Sequence, residues 1–188
     1  MKIFASYNIK GGVGKTASAV NLAFLSAQSG ARTLIWDLDP QGAASFYFRV
    51  KPRIKGGVKR LFGRKKHGVR NAIRGTDYDG LDLLPADFSA RNLDSLLDRQ
   101  KRPSRRFKRL LKTLSKDYDH VFLDCAPTIG AASECVFEIA DVLVVPSIPT
   151  TLSVNTLRQL GKHLRKMRKR APTVLPFFSM VDRLSLIH

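Results

Sequence analysis

Acidic residues are scarce in this chain. Fifteen Asp and Glu stand against 33 Lys and Arg, which gives a formal charge of +18. A surplus of that size favours polyanionic partners. Cysteine is nearly absent: Cys125 and Cys135 are the whole supply. Two thiols build no disulfide framework, and they lack the CxxC spacing of a metal or iron–sulfur site. That absence points to the cytoplasm. No apolar run is long enough to cross a bilayer. No leader is visible at the start, where the first helical stretch follows a glycine-rich turn. His67, His120 and His163 have no partner spacing that suggests catalysis, and no internal repeat is present. With 188 residues, one domain with a full core is expected.

What the chain does have begins ten residues in. Ile3–Tyr7 reads as a short strand and Ala17–Gln28 as a helix rich in Ala and Leu. Between them lies Lys10-Gly11-Gly12-Val13-Gly14-Lys15-Thr16. Glycines in such a turn let successive backbone N–H groups point inward as an anion nest. The following helix N-terminus adds partial positive charge. Lys15 is placed to reach β- and γ-phosphates, and the Thr16 hydroxyl to ligate Mg²⁺. The usual G-x-x-x-x-G-K-[ST] pattern fails at one position, where Ile9 replaces the first glycine, and Lys10 stands beside the failure. Lys10 is either a solvated lysine next to the loop or an ammonium that reaches a phosphate held by a second subunit.

Two further segments have the same character. Leu34–Trp36 and Val121–Leu123 are short β-prone runs ending in Asp37 and Asp124. Strand alternation would put Asp37 and Asp39 on one face. In open α/β sheets ligands bind at the carboxyl ends of strands, so Asp39 is expected to point toward the γ-phosphate. Short apolar runs alternating with helical stretches indicate an α/β fold with a mainly parallel sheet flanked by helices.

Lys10–Thr16 resembles the deviant Walker A motif of the ParA/MinD ATPases. Leu34-Ile35-Trp36-Asp37-Leu38-Asp39-Pro40-Gln41-Gly42 resembles their second-strand motif running into switch I. His120–Pro127 resembles the Walker B strand and switch II, and Asp141–Thr150 the next strand and loop. The similarity extends to about residue 182, and Asp-Leu-Asp-Pro-Gln-Gly favours the partition branch, ParA. The resemblance implies ATP and Mg²⁺ bound over Gly11, Gly12, Val13, Gly14, Lys15, Thr16 and Ala17. It implies Lys10, Lys15 and Asp39 as catalytic residues, with Asp39 orienting the attacking water. Thr16, Asp37 and Asp124 would serve the metal, Asp37 supporting either the ion or the switch and Asp124 acting through a water. It also implies slow hydrolysis, a homodimer formed on ATP binding, and a ParB-like stimulating partner. Departures are Ala17 where a second Thr is common and Cys125-Ala126-Pro127 where Thr-Pro-Pro is usual. The family also continues past residue 188, so a domain lacking the family's C-terminal strands and helices is expected.

The basic residues are clustered. One cluster runs from Arg49 to Arg74, with glycines expected to make parts of it mobile, and a second from Lys101 to Lys116. A third comprises Arg158, Lys162, Arg165, Lys166, Arg168, Lys169 and Arg170. There Leu157, Leu160, Leu164 and Met167 recur at helical spacing, so the cations fall mostly outside an apolar stripe that belongs on the sheet. Such patches bind phosphate backbones without reading sequence. Non-specific DNA is favoured over an anionic membrane, because no terminal amphipathic helix with bulky apolar residues is present. The expected setting is therefore cytoplasmic and nucleoid-associated.

Overall fold

The computed structural model describes residues 1–62, 68–99, 101–167 and 171–182. Arg64, Lys65 and Lys66 of the first basic cluster, and Arg168, Lys169 and Arg170 of the third, lie outside the described residues.

Among the described residues, seven strands form one sheet: β1 (Lys2–Ser6), β2 (Thr33–Asp37), β3 (Arg74–Gly75), β4 (Leu81–Leu84), β5 (His120–Asp124), β6 (Val142–Ser147) and β7 (Thr173–Phe178). Their order is β3-β4-β2-β5-β1-β6-β7; the β3–β4 pairing is antiparallel and the others described are parallel. The mainly parallel α/β architecture read from the alternation of runs is thus the observed one. β1 sits inside the sheet between β5 and β6, so the loop after it opens at the centre of the carboxyl edge.

Both faces of the sheet are covered, which is why the strands read as continuous apolar runs. Alternation along β2 sends Leu34 and Trp36 to one core and Ile35 to the other. On the second face lies α1 (Lys15–Gln28), which buries Ala19, Ala23 and Ala27 at four-residue spacing. Small side chains in that stripe let the helix backbone approach the strands closely. α2 (Ala43–Tyr47) packs on the same side through Ala44. On the first face lie α3 (Gly57–Leu61), α4 (Leu93–Asp98), α5 (Pro103–Lys112), α6 (Ala131–Ile139) and α7 (Thr151–Arg165). The centre of that core is aromatic: Trp36 lies 5.5 Å from Phe107, and Phe62 lies 4.8 Å from Phe107.

Two local expectations change. α1 begins at Lys15 rather than Ala17, so the loop lysine and threonine belong to its first turn. α7 ends at Arg165 and Met167 lies beyond it, although Met167 still packs on the first core with Leu157. Gly56 starts α3 in a left-handed conformation, and Gly57 sits where a Cβ would lie 2.7 Å from the Ser89 hydroxyl.

Phe107 is fully buried at the meeting point of α3, α5 and β2. We expect Phe107→Ala to lower stability by about 3–5 kcal/mol, measured by urea denaturation.

Candidate functional site

The loop between β1 and α1 is built to leave its N–H groups open. Gly14 is the N-cap of α1, is left-handed at φ 89°, and offers no side-chain acceptor; the first turn of the helix carries no acid. Gly12 is also left-handed, at φ 70°. A Cβ placed on Gly11 or Gly12 would meet nothing within 4 Å, so the cradle is open in front of the helix N-terminus. Its underside is fixed. Val13 is fully buried and its carbonyl accepts from the Ser179 hydroxyl at 2.7 Å. The Ser6 hydroxyl donates to the Lys15 carbonyl at 2.8 Å. Asn8 donates to the Pro146 carbonyl at 2.8 Å and accepts from the Lys10 N–H at 3.0 Å. Asn8 and Ser179 were not legible as loop supports, because they act through contacts with β6 and with the segment after β7.

Lys15 folds back over the loop, and its ammonium donates to the Lys10 carbonyl at 3.0 Å. Burial lowers its pKa, opposed by the charges of Asp124, Asp39 and Cys125. Lys10 is half-buried, with its backbone tied to both Asn8 and Lys15. Thr16 is half-buried and Ala17 exposed at the start of α1.

Asp37 and Asp124 are partners in register on the adjacent strands β2 and β5. Their fates differ. The Asp37 carboxylate turns to α2, where one oxygen accepts from both the N–H and the hydroxyl of Ser45 at 2.8 Å. Its other oxygen takes the Asp39 N–H at 3.3 Å. Burial still raises Asp37 to about 6 against those hydrogen bonds. These contacts brace the turn into α2. The strand-alternation argument for Asp39 fails, since β2 stops at Asp37. Asp39 lies half-buried in the following turn, with one oxygen capping the Gln41 N–H at 2.9 Å.

Asp124 is fully buried, and neither of its oxygens has a hydrogen-bond partner among the described residues. Burial drives its pKa up to about 7, and Asp37 and Asp39 push it the same way. Thr16 and Lys15 oppose this; the Thr16 hydroxyl favours the charged form without closing a hydrogen bond of ordinary geometry. Native proteins rarely leave a buried carboxylate unpartnered. Beside a lysine, a threonine hydroxyl and an open anion nest, this one fits a divalent cation. Among the described residues no cluster of three or more His, Cys, Asp or Glu side chains could hold a metal. Mg²⁺ commonly takes one or two protein oxygens and completes its shell with phosphate and water.

The sheet, the glycine nest and the two strand-end carboxylates define a P-loop nucleotide-binding domain of the deviant Walker A type. Comparisons with known proteins agree. The AAA_31 family, described as an AAA domain, matches residues 1–176. Sporulation initiation inhibitor protein Soj of Bacillus subtilis is 31% identical over 93% of this chain and 69% of its own length. Chromosome partitioning protein ParA of Caulobacter vibrioides is 30% identical over 89% of this chain and 64% of its own. The chain thus spans about two thirds of these relatives. Among solved structures, cobyrinic acid a,c-diamide synthase from Mycobacterium smegmatis, with bound ADP and magnesium, superposes with a TM-score of 0.86. It is 26% identical, over 98% of this chain and 76% of that one. The chain belongs to the AAA_31 family and to the ParA/Soj group of partition ATPases.

The buried Asp124 carries a pH signature. The unfolded group ionises near 3.8, whereas the folded one stays protonated until about pH 7. The nucleotide-free protein therefore loses stability as pH rises through that window. We expect Asp124→Asn to stabilise it at pH 8 by on the order of 2 kcal/mol and to change little near pH 4. Urea denaturation at the two pH values measures the difference.

Proposed function

We propose that this chain is a ParA-like ATPase whose nucleotide state gates non-specific DNA binding, for segregating or positioning a plasmid, a chromosome or another cargo. The observation that carries the reading is the unpartnered Asp124 carboxylate facing Thr16 and Lys15 beneath an open glycine nest. ATP would lie on Gly11–Ala17, its phosphates taking the loop N–H groups and the Lys15 ammonium. Mg²⁺ would be held by Thr16 and, through a water, by Asp124; when bound, it neutralises charge on the phosphate oxygens.

This chain's residues then divide the work. Lys15 must leave the Lys10 carbonyl for a phosphate, an exchange of one acceptor for a charged and stronger one. Asp39 keeps one oxygen on the Gln41 N–H, and its other oxygen orients the attacking water. Asp37 holds that turn in place through Ser45, so its contribution is to position Asp39. Lys10 reaches the phosphates of a second copy, which makes ATP the signal for pairing. Paired subunits combine their basic surfaces and so hold DNA more tightly; hydrolysis, accelerated by a ParB-like partner, releases it. On α7 the exposed Arg158, Lys162 and Arg165, with Lys166 at its C-cap, supply one such surface. A lipid surface is disfavoured, because Leu160 and Leu164 of that helix are spent on the core. No helix among the described residues is long and apolar enough to cross a membrane.

Three substitutions test the scheme. Lys15→Ala should remove ATP binding in a fluorescent-nucleotide titration. Asp39→Ala should keep ATP and lose phosphate release by about 10²-fold or more, while undiminished turnover would remove Asp39 from the mechanism. Lys10→Ala should bind ATP yet stay monomeric in sedimentation velocity, whereas normal ATP-dependent dimerisation would exclude the cross-subunit role.

A further inference from the structure

α3 and α5, each drawn from an acid-free stretch of the sequence, pack side by side on one face of the sheet. Residues 49–76 and residues 99–116 contain no Asp or Glu. α3 lies in the first segment and α5 in the second. They are joined by the Phe62–Phe107 ring contact and by the Arg106 guanidinium, which donates to the Phe62 carbonyl at 3.1 Å. Val58 and Leu61 of α3 and Phe107, Leu110 and Leu111 of α5 all sink into the same core. The cations on both helices must therefore face solvent. Lys55, Lys59, Arg105, Lys108, Arg109 and Lys112 are all exposed. On α5 the last four follow positions i, i+3, i+4 and i+7. They form one stripe about 10 Å long, against about 3.4 Å of axial rise per phosphate along one DNA strand.

We infer that the α3–α5 face is a docking surface for the phosphate backbone of nucleic acid, additional to the α7 cations. α6 lies between the two surfaces. It packs against α5, its Phe137 ring meets His163 of α7, and it carries Glu134 and Glu138. Asp98, Glu134 and Glu138 border the Arg105 end of the α3–α5 face, and Asp117 at its other end is paired with Arg70 at 2.7 Å. The apolar residues of both helices are buried, so the face offers charge without a side chain to insert into lipid. That favours a polyphosphate chain over an anionic bilayer. The surface is present in one copy of the chain with no nucleotide bound, so it gives a basal affinity on which pairing would build.

The test uses the full chain without nucleotide, a fluorescent 30-base-pair duplex, and anisotropy across a salt series. Lys108→Gln, Arg109→Gln and Lys112→Gln together should weaken binding by about tenfold or more and reduce the slope of log K against log salt by about 2–3. Glutamine removes charge without placing acids at the end of α5, where they would oppose the helix dipole. The conservative set Arg105→Lys and Arg109→Lys should retain binding, which separates lost charge from lost folding. The matched set Arg158→Gln, Lys162→Gln and Arg165→Gln should cost less under these conditions. Unchanged duplex affinity in the α5 triple variant, or no duplex binding by the natural sequence at 100 mM salt, would overturn the inference. Tighter binding to phosphatidylglycerol vesicles than to the duplex, abolished by the same triple variant, would also overturn it. Nucleotide titration of the same samples reads the ATP site separately, so failure here leaves the ATPase reading intact.

Discussion

A carboxylate buried without a partner is the constraint around which this site is organised. Asp124 ends a central strand, between β1 and β2, and is fully buried there. Burial there holds its pKa near 7, a sign that the charged form lacks compensation. Lys15 and Thr16 stand on the far side of the gap, held by the first turn of α1. A cation with phosphate oxygens would satisfy all three groups at once. The nest glycines, the capping hydroxyl of Ser179 and the Ser6 contact keep the other wall of the gap in position.

The two strand-end aspartates show how local context separates similar residues. Both lie at the carboxyl edge, in register, on adjacent strands. Asp37 found Ser45 on α2 and became a brace, whereas Asp124 found no donor and stayed available. The brace fixes the turn in which Asp39 sits, and Ser45 extends the connection through its hydroxyl to the Ala86 N–H at 2.9 Å. Support for the loops around the nucleotide therefore reaches from β2 through α2 to the segment after β4.

Charge is distributed by the same packing. Aromatic contacts among Trp36, Phe62 and Phe107 pull α3 onto α5. Apolar residues take the inward positions, so lysines and arginines can only point out. Repulsion among the cations opposes this arrangement, and the buried rings offset it. A polyanion bound across the face would relieve that repulsion.

Much of this was legible in the sequence. β-prone runs of four to six residues, glycines before Lys15-Thr16 and aspartates at strand ends are local signals, because strand burial and turn geometry act over a few residues. The parallel sheet, the loop and Asp124 follow from them. The start of α1 was misplaced by two residues because no side-chain cap marks it; Gly14 leaves the N-terminus open for an anion. Asn8, Ser179 and Ser45 were invisible, since each acts on a segment distant in the chain. Whether a strand-end carboxylate would be braced or left bare depended on what the fold set opposite it. The alternation of apolar and polar residues fixed which side chains are inside. Tertiary packing alone decided which buried charge kept no partner and which cations came to share a surface, because both depend on contacts between elements that the chain order does not place together.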